Sequence, residues 1–468
     1  MQATVSRPKI TVTADGRGVV GHAGARLLAD VAEATGLVRA FSDALAVTRQ
    51  RASGHDPGRV AVDLAVLLAD GGEAIADLAV LRDQPDLFGP VASDATAWRV
   101  LATLDERVLV ELRQARAAAR ETAWAQAAET RDGLPVSTAA GVEIDGLVLD
   151  VDASIVVCHS EKESAAKTWK KTFGYHPIFC FLDATGEALS AILRAGNAGS
   201  NTTADHIEVL DRALAQIPDA HRHGVPILIR SDSAGCTQGF LAHIRGLREH
   251  GVNMCFSVGV AIDELIREAI SALPERIWVS ALDADGGIRD GAQVAEITDL
   301  VDRSGYPEGT RLIVRRERPH PGAQLSLFDT VKGFRHQVFA TDTGYAGGGS
   351  IQFLEARHRA HARVEDRIRC GKDSGFGRFP SRTFAINAAW LELALTGVDL
   401  IAWTQVLLLD GELARAEPKK LRYRLLHVAA RITRSARRTW LRIASHWPWA
   451  TELAAAFTRL HALPRPVT

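Results

Sequence analysis

Two apolar runs in this chain each end on an aspartate, and together they constrain the fold more than any other feature. One is Leu147-Val148-Leu149-Asp150-Val151-Asp152, continuing into Ala153-Ser154. The other is Ile227-Leu228-Ile229-Arg230-Ser231-Asp232. A short continuous apolar run suits a strand buried on both faces. Charge at the end of such a strand is costly unless something offsets the lost hydration, and a divalent cation can. A third acid, Glu365, lies in the later basic helical segment His358 to Arg367. Phosphodiester chemistry with two metal ions about 3.5–4 Å apart needs hard oxygen ligands of this kind. Spacing alone proves little, because the chain holds 56 acidic residues and a trio can be chosen by chance.

The elements around the acids narrow the choice. Residues 142–157 read as a long strand, and 175–182 and 188–193 as two more, joined by the turn Asp183-Ala184-Thr185-Gly186. Asn201-Thr202-Thr203 caps a helix running to about residue 217, and a strand covers 225–230. Strand, strand, strand, helix, strand is the opening order of a ribonuclease-H-like fold. In that fold the acids lie on the first strand and just after the fourth, where Asp152 and Asp232 stand. A helix over 237–251 and a strand over 254–258 follow.

The expected class is therefore α/β: a ribonuclease-H-like catalytic core interrupted by a β-rich insertion, with helical N- and C-terminal regions. Residues 1–135 form the helical N-terminal region, with a short strand at Lys9–Thr13. Its helices are expected at 23–35, 57–68, 72–82, 95–104 and 106–128, with Asp56 capping the second ahead of Pro57. The core's first part is 136–258. The insertion is 259–346, with strands at 275–282, 292–300, 311–316 and 337–341. The core resumes over 347–415, with helices at 351–371 and 381–410. Residues 416–468 are a basic helical C-terminal region with a helix at 419–445.

Composition mainly excludes. At 468 residues the chain needs two or three domains, or one core carrying a large insertion. A net charge of −1 announces no polyanion, so any such partner must bind local basic clusters. Five scattered cysteines, none spaced CxxC, favour neither disulfides nor a zinc module. The most apolar stretch, 386–409, is broken by Asn387, Glu392, Asp399 and Gln405 and reads as a buried helix. With no apolar signal core, the expectation is a cytoplasmic, nucleoid-associated protein without a membrane partner. Gly16-Arg17-Gly18-Val19-Val20-Gly21 fits the dinucleotide fingerprint, but its strand alternates polar and apolar residues and a helical segment follows, so no nucleotide cofactor is expected.

The segment around Glu365 resembles bacterial insertion-sequence transposases of the DDE class. Their signature on the last acid's helix is Tyr, two residues, Arg, three residues, Glu, six residues, Lys. Here His358, His361, Glu365 and Lys372 meet that spacing, with histidine at the Tyr and Arg positions. Leu149–Ser154, His159-Ser160-Glu161-Lys162-Glu163, Arg230–Ser233, Arg315–Gln324 and Glu365–Arg369 look like one branch, the insertion-sequence 1380 family, a group similar to the piggyBac transposases. The resemblance covers about 10–440.

It implies a cut-and-paste transposase in which Asp152, Asp232 and Glu365 are catalytic and hold two Mg²⁺, with Mn²⁺ able to substitute. Family motifs place the ligand before a small residue and then Ser or Thr, which favours Asp152 over Asp150 on the same strand face. Asp366 faces elsewhere on the helix and is expected to pair with Arg363 or Arg369. The implied partners are double-stranded DNA, both terminal inverted repeats and target, and a second copy of the chain in the synaptic complex. The N-terminal region would help bind ends and dimerise. Expected DNA contacts are His358, His361, Lys372, Arg363 and Arg369, with Lys170 and Lys171 beside Trp169. Trp278 would stack a flipped base unless it is core. The alternative is a metal-dependent ribonuclease-H-like nuclease or resolvase that cuts without strand transfer. A scaffold that lost its chemistry would lack an acid, and none is missing.

Overall fold

A computed structural model describes residues 10–49, 54–319, 330–331, 333–346 and 348–465. At its centre, strands β1 (Leu147–Ala153), β2 (Ile178–Leu182), β3 (Ala188–Ile192), β4 (Ile227–Ser231) and β5 (Met254–Val260) form one sheet. β4 runs parallel to both β1 and β5, whereas β2 runs antiparallel to β1 and makes a hairpin with β3. Parallel neighbours need a crossover. The crossover from β3 to β4 carries helix α3 (Thr203–Leu214), and that from β4 to β5 carries α4 (Gln238–Gly246); α1 (Pro57–Asp70) and α2 (Glu106–Thr130) precede the sheet.

Alternation along β2 explains why the sheet is covered on both sides. Ile178, Cys180 and Leu182 join a core with Val209 and Leu210 of α3 and Phe240 and Ile244 of α4. Phe179 and Phe181 join the opposite core with Trp390 and Leu393. Those two belong to α7 (Phe384–Leu408), which follows α5 (Ile351–Arg359) and α6 (Arg363–Gly371). By length and composition α7 could cross a membrane, yet 83% of its most apolar window is buried inside the protein. It is a core helix, as its interrupting polar residues suggest.

Several elements depart from the sequence reading. The long strand over 142–157 breaks at Gly146, whose φ is +79° and where a Cβ would stand 1.9 Å from the Pro226 carbonyl oxygen. Strands β6 (Val279–Leu282), β7 (Ile288–Glu296), β8 (Arg311–Glu317) and β9 (Phe334–Thr341) lie in the expected β-rich segment. They build no separate sheet: the order is β6-β7-β8-β9-β5-β4-β1-β2-β3, because β9 pairs antiparallel with the open edge of β5. Pairing there removes an exposed edge from the core.

The helix expected at 419–445 is a correction. A turn of helix at Pro418–Leu421 and a wider turn at Arg422–Leu426 lead into a hairpin, β10 (Ala430–Ser435) and β11 (Arg438–Ile443). Ala436 and Arg437 make its tip with φ of 48° and 64°. Ile432, Thr433, Thr439 and Ile443 are β-branched, and no acid is present to pair the arginines at helical spacing. Near the other terminus, Lys9 lies outside the described residues, Ile10–Thr13 are not in a strand, and Val19–Val20 pair with β10. In the Arg315–Gln324 motif, residues 320–324 also lie outside the described residues.

Candidate active site

Asp150 and Asp152 share one face of β1 and meet opposite surroundings. Asp150 is buried and accepts two bonds from the Arg230 guanidinium, at 2.8 and 2.7 Å, and one from His361 Nδ1 at 2.8 Å. Burial pushes its carboxyl up, but Arg230 and His361 outweigh it and hold the group below the ordinary aspartate value. Asp152 accepts only its neighbour's amide, Ala153 N–H, at 2.7 Å. Burial raises it to about 6; His361 opposes the rise, while the charges of Asp232 and Glu365 add to it. Asp152 thus feels the charge of both other acids.

Asp232 stands at the end of β4, where its side chain accepts Ala234 N–H at 2.9 Å and caps a short turn. Gly259 of β5 permits this position: a Cβ there would lie 2.8 Å from Ser233 N and 3.1 Å from the Asp232 carbonyl carbon. Glu365 is exposed on the first turn of α6. Among the described residues neither Asp152 nor Glu365 has a hydrogen-bonding or ion-pairing cation. Asp152, its carboxyl raised by burial and by the charges of Asp232 and Glu365, is a hard oxygen donor of the kind a divalent cation takes; the three acids do not, as they stand, each bring an oxygen within 4.8 Å of the others.

A cleft of about 600 Å³ opens on Asp152 and Asp232 and is also lined by Lys167, Trp169, His176 and His206; Glu365 is not among its lining residues. Lys372 Nζ donates to Ser154 Oγ at 2.7 Å and to the Ile155 carbonyl at 3.0 Å, tying the end of α6 to the chain just past Asp152. Burial, then the neighbouring Lys170, lowers its pKa, while Asp152 pulls the other way. Lysines thus face carboxylates across the rim, an arrangement suited to a metal-bound phosphate chain.

The family model described as Transposase DDE domain group 1 matches residues 2–465. The chain belongs to the DDE transposases. A cryo-EM structure of a piggyBac transposase synaptic complex with hairpin DNA is similar at 10% identity and a TM-score of 0.40, over 89% of this chain and 82% of that one. Among curated proteins none matches the sequence.

The structure brings together only some of the residues expected to contact DNA. His361 and Lys372 join the acids, and Lys170 approaches Lys372. His358 does not. Its ring stacks on Phe339 at 4.5 Å, Nδ1 meets Ser257 Oγ at 3.0 Å, and burial pushes its pKa down to about 3, so it brings no charge to a phosphate. Arg363 is tied to Asp183 at 3.1 Å and the Thr138 carbonyl at 2.8 Å, beside the start of β1 and away from its acidic end. Arg369 binds Glu417 and Asp366, each at 3.1 Å, which also accounts for Asp366. Trp278 is core, packed beneath the Arg316 guanidinium at 4.2 Å. Lys171 is in the tight turn at 168–172, with φ of +63°. Arg363 and Arg369 are thus already paired with carboxylates of the protein.

Two cleft residues escaped the sequence reading. His176 Nδ1 meets the Ala198 carbonyl at 3.3 Å and His206 Nδ1 meets the Thr202 carbonyl at 3.0 Å. Burial lowers both imidazoles, with Asp232 opposing. The antiparallel register offers the missed signal for His176: Ala153 pairs with Ile178, so the residue two before β2 begins lies beside the end of β1. Nothing in the sequence singles out His206.

Proposed function

We propose that this chain catalyses cut-and-paste transposition of an insertion sequence, cleaving at terminal inverted repeats and joining the freed ends to target DNA. The observation that carries the reading is the raising of the Asp152 carboxyl by burial and by the charges of Asp232 and Glu365, in a chain of the DDE family. The order β3-β2-β1-β4-β5, with β2 alone antiparallel to β1, supports a ribonuclease-H-like core. Within it, the strand ends of β1 and β4 and the first turn of α6 each contribute one acid.

In this proposal the three carboxylates hold two Mg²⁺. When bound, the ions supply activation of the attacking oxygen and stabilisation of the departing one. Lys372 and Lys170 neutralise phosphate on the rim. Asp150 fixes His361 through Nδ1, which leaves Nε2 for a phosphate oxygen. Water displaces the 3′ oxygen at the element's end, and that 3′-hydroxyl then displaces a phosphodiester oxygen of the target in line. Two ends must be held together for this, so the working form is a homodimer on double-stranded DNA.

The test combines purified full-length protein, Mg²⁺, DNA carrying the cognate repeats and a target plasmid. Joined products support the reading. Cut ends that never join would replace it with a nuclease on the same scaffold.

A further inference from the structure

His22, Asp70 and His427 come together from three segments distant in sequence. Antiparallel pairing of Val19–Val20 with β10 brings the two histidine-bearing segments together, and Ala23 N–H donates to the Val428 carbonyl at 2.9 Å between them. Asp70 comes from the last residue of α1, under both imidazoles. His22 Nδ1 lies 2.6 Å from Asp70 Oδ2, and His427 Nε2 lies 3.2 Å from Asp70 Oδ1. The two rings are 4.1 Å apart, and one ligand atom from each residue falls within 4.8 Å of the others. His22 holds a left-handed backbone conformation, φ +48°, that non-glycine residues adopt uncommonly.

Hydrogen bonding leaves this cluster unfinished. The Asp70 side chain is 2% exposed. His427 Nε2 reaches the Asp70 backbone carbonyl at 2.9 Å, and one N–H there cannot also serve the carboxylate well. Asp70 Oδ1 is accordingly a buried oxygen without a hydrogen-bond donor. A carboxylate in the last turn of a helix also sits against the negative end of the helix dipole, so it attracts a cation more strongly than the same group elsewhere. The nearest guanidinium, Arg422, is committed to the Leu68 and Ala69 carbonyls and Ser374 Oγ.

We propose that His22, Asp70 and His427 form a binding site for a borderline transition-metal cation, with Zn²⁺ as the representative ion. Two imidazole nitrogens and one carboxylate are a Zn²⁺ donor set at metal–ligand distances of about 2.0–2.2 Å. Ligand atoms around such an ion stand roughly 3.3 Å apart in a tetrahedron, close to the His427–Asp70 separation of 3.2 Å, while the hydrogen-bonded His22–Asp70 contact of 2.6 Å would open as the ion replaced its proton. A cavity of about 380 Å³ lined by Lys419, Arg422, Tyr423, His427 and Trp447 adjoins the cluster at His427. Imidazole donors separate this site from the all-oxygen trio, which suits Mg²⁺. Among the described residues this is the one cluster of three such donors in mutual reach. Its occupation would lock the chain's N-terminal strand to the C-terminal hairpin through the end of α1.

The experiment uses full-length, chelator-treated protein in millimolar Mg²⁺, titrated with Zn²⁺ against a fluorescent chelator, with Co²⁺ absorption as a second readout of nitrogen ligation. Expected is one Zn²⁺ per chain and a Tm that rises with Zn²⁺. Both should be lost in His22→Ala and His427→Gln and kept in Asp152→Asn and Glu365→Gln. Melting in chelator shows whether each histidine variant is folded, and His427→Gln keeps the polar contact if His427→Ala does not fold. Absence of Zn²⁺ binding by the folded wild type overturns the site. So does unchanged binding in the His22→Ala/His427→Gln double variant, or loss only in the Asp152 and Glu365 variants.

Discussion

Arg116 and Arg120 on α2 face Glu187, Glu392 and Asp399 in the protein's core, whereas Asp152 is half-buried and feels the like charges of Asp232 and Glu365. In the first cluster every acid has a cation: Arg120 to Glu187 at 2.9 Å and to Asp399, and Arg116 to Glu392 at 3.0 Å. Trp403 Nε1 adds a bond to Glu187 at 2.7 Å, and Gln216 joins both guanidiniums. In the second, Asp152 has a single backbone amide. Burying charge is tolerable when partners replace the water that was lost. A cluster that meets this condition from within is structural; Asp232 and Glu365 instead stay exposed to water, and Asp152 alone of the three carries the cost of burial. Asp150 and Asp152 draw the same distinction two residues apart on one strand.

The largest expected effect breaks the comparison on the acidic side. Asp152→Asn, Asp232→Asn or Glu365→Gln should each slow DNA cleavage at least about 10³-fold, the loss of roughly 4 kcal/mol of charge stabilisation. The same changes should leave Tm within a few degrees, since none of the three completes an internal ion pair. A variant that cleaves at the wild-type rate would remove that acid from the site.

The opposite outcome is expected in the core. Arg120→Met takes the guanidinium from Glu187 and leaves Asp399 a 3.6 Å pair with Arg116. It should cost about 3–5 kcal/mol of stability in urea unfolding, the usual penalty for breaking a buried pair by removing one partner. A measured loss below about 1 kcal/mol would mean that the network does not depend on its charges.

Acid titration sharpens the contrast. The Asp152 carboxyl rises from 3.8 to about 6 in the folded chain. A raised carboxyl favours the folded state below its unfolded value, and that contribution is lost as pH climbs through 6. Metal-free protein should therefore lose stability between about pH 4 and 6, and Asp152→Asn should flatten that slope. Added Mg²⁺ should raise Tm more at pH 7 than at pH 5, because a protonated carboxyl is a poor ligand. Equal Mg²⁺ shifts at the two pH values would detach Asp152 from the metal.

Much of this was legible in the chain because burial leaves a local trace. The strand ends at Asp152 and Asp232, the hairpin at Asp183–Gly186 and the Asp56 cap before Pro57 all depend on near neighbours in sequence; Asp56 indeed accepts Arg59 N–H at 2.9 Å. What stayed hidden depends on partners distant in sequence. That Arg363 is spent on Asp183, that His358 lies against Phe339, and that β9 pairs with β5 are facts of tertiary contact. The basic run at 419–445 misled for another reason: charge reports exposure, and an exposed hairpin looks as charged as an exposed helix.

The smallest expected effect lies between the two clusters, on the rim where the acids meet solvent. Lys170 Nζ sits 4.9 Å from the centre of the exposed Trp169 ring and close enough to Lys372 to lower its pKa. It has no carboxylate partner among the described residues, unlike Arg363 and Arg369. If rim lysines serve phosphate, Lys170→Ala should weaken DNA binding about equally for all sequences. It should also reduce the slope of log affinity against log salt by about 1. Arg369→Ala breaks exposed pairs to Asp366 and Glu417 and should leave that slope unchanged. Paired measurements across a salt series therefore separate a cation held for the protein's own acids from one held for DNA. A slope unchanged in Lys170→Ala would place this lysine outside the DNA path.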